Sequence, residues 1–217
     1  MSQVILLSLS QTLIMVLFST FFSVIIGLPL GILLAVTRSH EEGGLFPKPV
    51  LNQILGKVVN ILRSFPFIIL IIILFPLSRI IVGTTIGTKA VIVPLSIAAA
   101  PFVARVVESS LKEVSPDVIL AARSMGSTNF QIVVKVLLPE ALPSLISGLT
   151  LTIINIIGYS AMAGALGGGG LGDLAIRYGY QRFRPDIMLT SVLIIIVLVE
   201  VIQLLGNMVS AKIIKNR

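Results

Sequence analysis

Apolar residues run along this chain in long unbroken stretches, and polar and charged positions collect between them. No charged residue occurs from Met1 to Thr37, nor from Ala141 to Gly172. A stretch of roughly 20 apolar residues crosses the hydrocarbon core of a bilayer as a helix, so each gap is long enough for a span. The pattern predicts five spans: Gln11 to Val36, about Val58 to Phe75, about Val91 to Val107, about Ser144 to Ala163 and about Ile187 to Met208. The third is the least regular, with fifteen residues between Lys89 and Arg105 and with Pro94 and Pro101 inside it. Basic side chains snorkel from span ends and bundled membrane helices tolerate proline, so the reading stands. The expected class is an all-α integral membrane protein with a single transmembrane domain over residues 1–217.

Composition agrees. Of the 217 residues, 56% are hydrophobic and 12% charged, with a mean hydropathy of +1.08. Soluble domains carry about a quarter charged residues, twice this share. The first apolar run lacks the basic start and small-residue cleavage site of a secretion signal, and reads as a retained span. The absence of cysteine excludes disulfide and thiol chemistry. A net charge of +7 suits the basic flanks of membrane helices better than nucleic acid. Eleven Lys and Arg residues fall on one side of the five spans and five on the other, which puts the richer side in the cytoplasm. The N-terminus is then outside and the C-terminus inside.

The segment 113–143 between the third and fourth spans holds local helix signals. Ser115-Pro116-Asp117 reads as an N-cap, a proline at the first helical position and an acid in the first turn. Val118, Ala122 and Met125 follow at helical spacing, Gly126 interrupts, and Thr128-Asn129-Phe130-Gln131 has the form of a capping box. Ile132, Val133, Val136 and Leu137 give the second helix an apolar stripe, and Pro139 and Pro143 restrict its exit. Two short cytoplasmic helices joined at a glycine are expected. A loop resting on the membrane surface is the plainer alternative.

These residues resemble the coupling motif of ABC importer permeases: Glu-Ala-Ala, three residues, glycine, nine residues, isoleucine, one residue, Leu-Pro. Here Ala121-Ala122, Gly126, Val136 and Leu138-Pro139 stand at those places, and Leu120 replaces the glutamate. Any ionic contact from that position is therefore lost, although Arg123, Glu113 or Asp117 offer other polar contacts. The stretches 60–69, 98–105, 135–143 and 158–162 are similar to the permease subunits of bacterial methionine ABC importers, in the binding-protein-dependent transport system inner membrane component family. The resemblance implies a type I ABC importer permease fold in the bacterial inner membrane. It also implies a homodimer, two ATPase subunits docked on segment 113–143 through Asp117, Leu120, Ala121, Ala122, Arg123, Gly126, Leu138 and Pro139, and a periplasmic lipoprotein delivering D- or L-methionine. ATP and Mg would be handled by the partner ATPase, with no cofactor in this chain. Met162 stands where the family closes its pathway with a bulky side chain; on the residues alone it reads as apolar packing.

The chain has no Gly-x-x-x-x-Gly-Lys-Ser/Thr, so any ATP hydrolysis belongs to another subunit and the chain is not expected to be an enzyme. His40 sits alone in a charged loop and reads as a surface residue, not a metal ligand. Ser160 has no base near it in sequence. The glycines at 164, 167–170 and 172 suggest a helix terminator and turn, or a flexible or closely packed segment at the outer mouth, and the two readings are compatible. Gly27 and Gly31 have the spacing for close helix approach, although Pro29 between them could mark a kink instead. Glu200, inside the last span, should face protein, water or a nearby boundary, since lipid exposure costs about 3 kcal/mol. An importer for another amino acid or small nutrient keeps the same mechanism. A secondary transporter without an ATPase, or a non-transporting scaffold, would leave the 121–139 motif unexplained.

Overall fold

The computed structural model describes residues 2–39 and 43–215, and among these every regular element is helical. His40 lies outside the described residues. Nine α-helices follow in order: α1 (Ser2–Val36), α2 (Pro49–Ser64), α3 (Phe67–Val82), α4 (Thr88–Lys112), α5 (Pro116–Ser124), α6 (Asn129–Ile132), α7 (Leu138–Ala163), α8 (Gly170–Asp173) and α9 (Pro185–Lys215). Among the described residues, four helical runs are long and apolar enough to cross a membrane: Ser2–Val36, Thr88–Lys112, Asn129–Gly168 and Pro185–Lys215. The broken pair α2–α3 makes a fifth when counted as one span. Helix is the expected answer to lipid, because it satisfies every backbone donor and acceptor within the segment.

Three boundaries differ from the sequence pattern. The expected span from Val58 to Phe75 straddles a helix break, since α2 ends at Ser64 and α3 begins at Phe67. Pro66 supplies no N–H and pushes Phe65 out of the helical region. The third span extends through Pro94 and Pro101 to Lys112. The second short helix of segment 113–143, whose exit Pro139 and Pro143 were expected to restrict, runs on through Pro139. Residues Val133–Leu137 form a wide turn in which the Leu138 N–H reaches Val133 O, and α7 continues directly from it. A widened turn relieves the clash between a proline ring and the carbonyl four residues back, so Pro139 is accommodated inside one helical run.

The chain forms two compact units. The first takes the chain up to Val24, Phe65–Ala100 and Leu151–Leu204. Its core joins Met15, Ile71, Val91, Leu95 and Ala163, with Phe67 stacked on Tyr159 at 4.5 Å between ring centres. The glycine segment packs inside this unit. Gly164–Gly168 is a second wide turn, with Gly167 at φ +84°, and Gly164, Gly168, Gly170 and Gly172 are all buried. A Cβ on Gly164 would run into the Asp173 and Gly172 backbone. The backbone N–H groups of Gly170 and Leu171 donate to Gln11 Oε1 (2.8 Å) and Thr12 Oγ1 (2.9 Å). The run is thus a closely packed turn whose donors are capped by α1.

The second unit takes Ile25–Ser64, Pro101–Thr150 and the chain from Leu205. Leu34, Val59 and Ala104 form its core, with Leu30 and Leu55 against them. Gly31 permits the close approach that the glycine spacing suggested: a Cβ there would lie 2.5 Å from both Ala104 O and Val107 Cβ. α1 remains one helix through Pro29.

Candidate functional site

The candidate site is the α5–α6 pair and the wide turn after it, all within the second unit. Each helix signal predicted from sequence is realised in hydrogen bonds. Ser115 Oγ accepts the Asp117 N–H at 3.3 Å, with Pro116 opening α5. Asp117 in the first turn and Arg123 in the last complement the helix dipole. At the other end the Gly126 N–H donates to Arg123 O (2.9 Å) and the Ser127 N–H to Ala122 O (3.1 Å). This paired closure requires a left-handed residue, and Gly126 has φ +79°. The capping box then starts α6: Thr128 Oγ1 accepts the Gln131 N–H at 3.3 Å, and Gln131 Oε1 accepts the Thr128 N–H at 2.9 Å. Asn129 Nδ2 donates to Leu45 O at 2.9 Å and ties the pair to the 43–48 loop.

Burial divides the predicted site residues into two groups. Asp117, Leu120, Ala121, Arg123 and Gly126 are exposed, whereas Ala122 is buried and Leu138 and Pro139 are partly buried. The second group holds the helices in place, with α5 packed on the wide turn; the first is presented. Three large apolar side chains stand out on this surface: Leu120 at 64% exposure, Met125 at 85% and Phe130 at 73%. Beside Leu120 lies a groove of about 240 Å³ lined by Gly43, Pro116, Asp117, Ile119 and Arg123. Sequence reading did not single out Phe130 or Met125 as presented residues, although both flank the Gly126 joint.

Glu108 is a third residue that the sequence reading missed. It lies one turn beyond Arg105 and one residue past Val107, where the third span was expected to end. It is 5% exposed, and accepts Arg105 Nη1 at 2.5 Å and Lys112 Nζ at 2.6 Å. Arg105 Nη2 also donates to Gly56 O (3.0 Å) and Asn60 Oδ1 (2.9 Å), so the cluster fastens α2 to α4. Arg63 lies over the Phe102 ring at 5.9 Å, and Asn52 Nδ2 donates to Leu34 O at 2.7 Å. The signal available in the sequence was the Arg-x-x-Glu-x-x-x-Lys spacing at 105, 108 and 112, which is helical ion-pair spacing.

The remaining candidates fall in the first unit. Met162 is 46% exposed on α7. Ser160 is buried and donates to Ile157 O at 2.7 Å, the geometry of a hydroxyl satisfied by its own helix. Glu200 is exposed on α9 within this single chain. Asp173 holds the Arg177 guanidinium by side-chain hydrogen bond and raises its pKa above the ordinary arginine value, so that cation stays charged.

Comparison with known proteins places this architecture. Residues 27–215 match the family model described as binding-protein-dependent transport system inner membrane component. The chain is 49% identical to the probable D-methionine transport system permease protein MetI of Vibrio cholerae, over 95% of this chain and 90% of that protein. It is 45% identical to the methionine import system permease protein MetP of Bacillus subtilis, over 78% and 77%. A solved structure of the MetNI methionine ABC transporter in an inward-facing conformation superposes with a TM-score of 0.95 at 45% identity, covering 98% of this chain and 97% of that one. A more distant amino acid ABC transporter structure, at 19% identity and a TM-score of 0.78, shares the fold. With its spans, its paired helices and a match over residues 27–215, the chain belongs to the binding-protein-dependent transport system inner membrane component family.

Proposed function

We propose that this chain is the membrane-spanning subunit of an ATP-driven methionine importer. The observation that carries the reading is the α5–α6 pair, with α5 capped at both ends, α6 opened by a capping box, and Leu120, Met125 and Phe130 displayed, in a chain about half identical to methionine permeases. The pair is the docking element for an ATPase, with segment 113–143 its cytoplasmic part within a single permease domain. Two copies of the chain would stand together with two ATPase subunits, which hold ATP and Mg, and a periplasmic lipoprotein would hand methionine to the outer side. The lysine and arginine bias supports an N-terminus in the periplasm and a C-terminus in the cytoplasm of a bacterial inner membrane.

The chain makes and breaks no covalent bond with its cargo. ATP-driven closure of the ATPase pair pulls the docked helices together and shifts the permease from an inward-open to an outward-open state. Because the α6 run is continuous with α7, motion of the docked pair reaches the spanning helix that carries Met162 without crossing a loop. Met162 closes the pathway in this reading. The test is reconstitution with the ATPase and the binding lipoprotein, followed by uptake of labelled D- and L-methionine against other amino acids. ATP-dependent methionine uptake supports the proposal. ATP-independent transport would remove the mechanism, and ATP-dependent uptake of a different solute would change only the cargo.

A further inference from the structure

α2 is unlike the spanning helices, and its three faces have different chemistry. Asn52, Leu55, Gly56, Val59 and Leu62 are buried or partly buried toward the second unit. Val50, Ile54, Val58 and Ile61 form a separate apolar stripe, exposed by 71%, 55%, 47% and 60%. Gln53, Lys57, Asn60 and Ser64 form an exposed polar stripe beside it. Six of its sixteen residues are polar, and it is bent by 104° from the apolar α3 that follows. Neither face suits a helix that crosses lipid or one bathed in water. An apolar stripe bordered by a polar one along the whole length suits a helix lying in a lipid–water boundary.

Charge identifies the lipid. Lys57 and Arg63 lie in α2 and Lys48 one residue before it, and no acidic residue occurs from 43 to 66. Lys48 and Lys57 are exposed and have no carboxylate partner among the described residues. Elsewhere in the second unit, Arg105 and Lys112 are held by Glu108. We propose that α2 is an interfacial helix whose Val50–Ile54–Val58–Ile61 stripe enters the acyl region while Lys48 and Lys57 hold anionic phospholipid headgroups. The Arg105 contacts to Gly56 and Asn60 then connect that lipid site to α4, the helix that leads into α5. This inference rests on the chain spanning a membrane and not on its cargo.

The chain has no cysteine, so single substitutions report cleanly. I54C, V58C, I61C and Q53C would each be placed in the full chain, purified with its ATPase and reconstituted in vesicles of phosphatidylcholine mixed with phosphatidylglycerol. Labels at 54, 58 and 61 should be quenched by nitroxide-bearing acyl chains, whereas Q53C should react with a charged water-soluble maleimide. Quenching at none of the three overturns the proposal: maleimide labelling there would mean water covers the stripe, and protection from both probes would mean protein covers it. The headgroup contact is read separately by counting phosphatidylglycerol retained through detergent extraction. K48Q and K57Q should each weaken retention about fivefold, while equal retention in the double variant would overturn the headgroup assignment. Methionine uptake measured on the same vesicles keeps this result distinct from the transport reading.

Discussion

Arg105 donates to Glu108 at 2.5 Å, and through this contact a buried carboxylate is neutralised at the place where α2 meets α4. Removing the acid alone leaves Arg105 and Lys112 facing each other without compensation. Breaking a fully buried pair costs about 3–5 kcal/mol. Arg105 and Lys112 are partly exposed, at 27% and 41% of their side chains, so a loss of roughly 2 kcal/mol is expected for E108A after solvent screening. E108Q keeps an acceptor and should lose less. Thermal unfolding of the purified complex measures both, and an unchanged midpoint for E108A would show that the cluster adds no stability.

The joint at Gly126 makes a different prediction, about coupling. No atom lies within 4 Å of the position a Cβ would take, so only backbone conformation resists substitution there. An L-residue in the left-handed region costs about 1–2 kcal/mol, and asparagine less than alanine. G126N should therefore remain near wild type, G126A should raise the ATP hydrolysed per methionine transported, and G126P should uncouple the two. Proline cannot adopt φ +79° and has no N–H to give to Arg123 O. Wild-type stoichiometry in G126P would refute the joint.

How much of this was legible in advance follows from which interactions are local. The caps at Ser115, Thr128 and Gly126 involve residues within a few positions of each other, and their chemistry is written in the sequence. The charge-free runs at 2–36 and 141–163 had to be helical, because lipid leaves no other partner for the backbone. The break at Phe65-Pro66 was hidden by apolar residues on both sides of it, although the 49–64 periodicity and the Phe-Pro pair together mark it. Pro139, expected to restrict the exit of the second helix, is absorbed by a widened turn, and nothing in composition distinguishes that from a helix end. Glu108 was overlooked because Arg105 was taken as the boundary of a span, when its charge is neutralised one turn further along the same helix. The presented group of Leu120, Met125 and Phe130 emerges only when burial sorts α5 and α6 into supporting and displayed faces.

The substitution of Leu120 for the motif's glutamate changes the expected character of docking. With leucine 64% exposed on α5 and Phe130 73% exposed on α6, the contact with an ATPase groove should be largely apolar. F130A and L120A should each weaken retention of the ATPase, by about 1.5–3 kcal/mol if the side chain is fully buried in the complex. That loss should change little between low and high salt, since ionic strength screens charges and leaves apolar burial in place. L120E restores the motif residue and should make retention salt-sensitive. Co-purification of the two subunits across a salt series is the measurement, and strong salt dependence in the wild type would point to Asp117 and Arg123 as the principal contacts instead.

Met162 lies near the end of α7, one residue before the buried Ala163 and two before the wide turn that begins at Gly164. Its neighbours in sequence are fixed: Ala163 is fully buried, and Gly164 cannot accept a Cβ without displacing backbone. Met162 itself is 46% exposed, so truncating it leaves the packed turn intact and removes bulk only from the free surface. A purely structural role would then show as a small fall in stability, well under the 2–5 kcal/mol of a buried methionine-to-alanine change. A gating role predicts something else. M162A should leak methionine through vesicles without ATP, or should hydrolyse ATP without the binding lipoprotein, while unfolding at nearly the wild-type temperature. M162L, which conserves volume, should restore the barrier. If M162A is as tight as wild type in both assays, Met162 does not close the pathway.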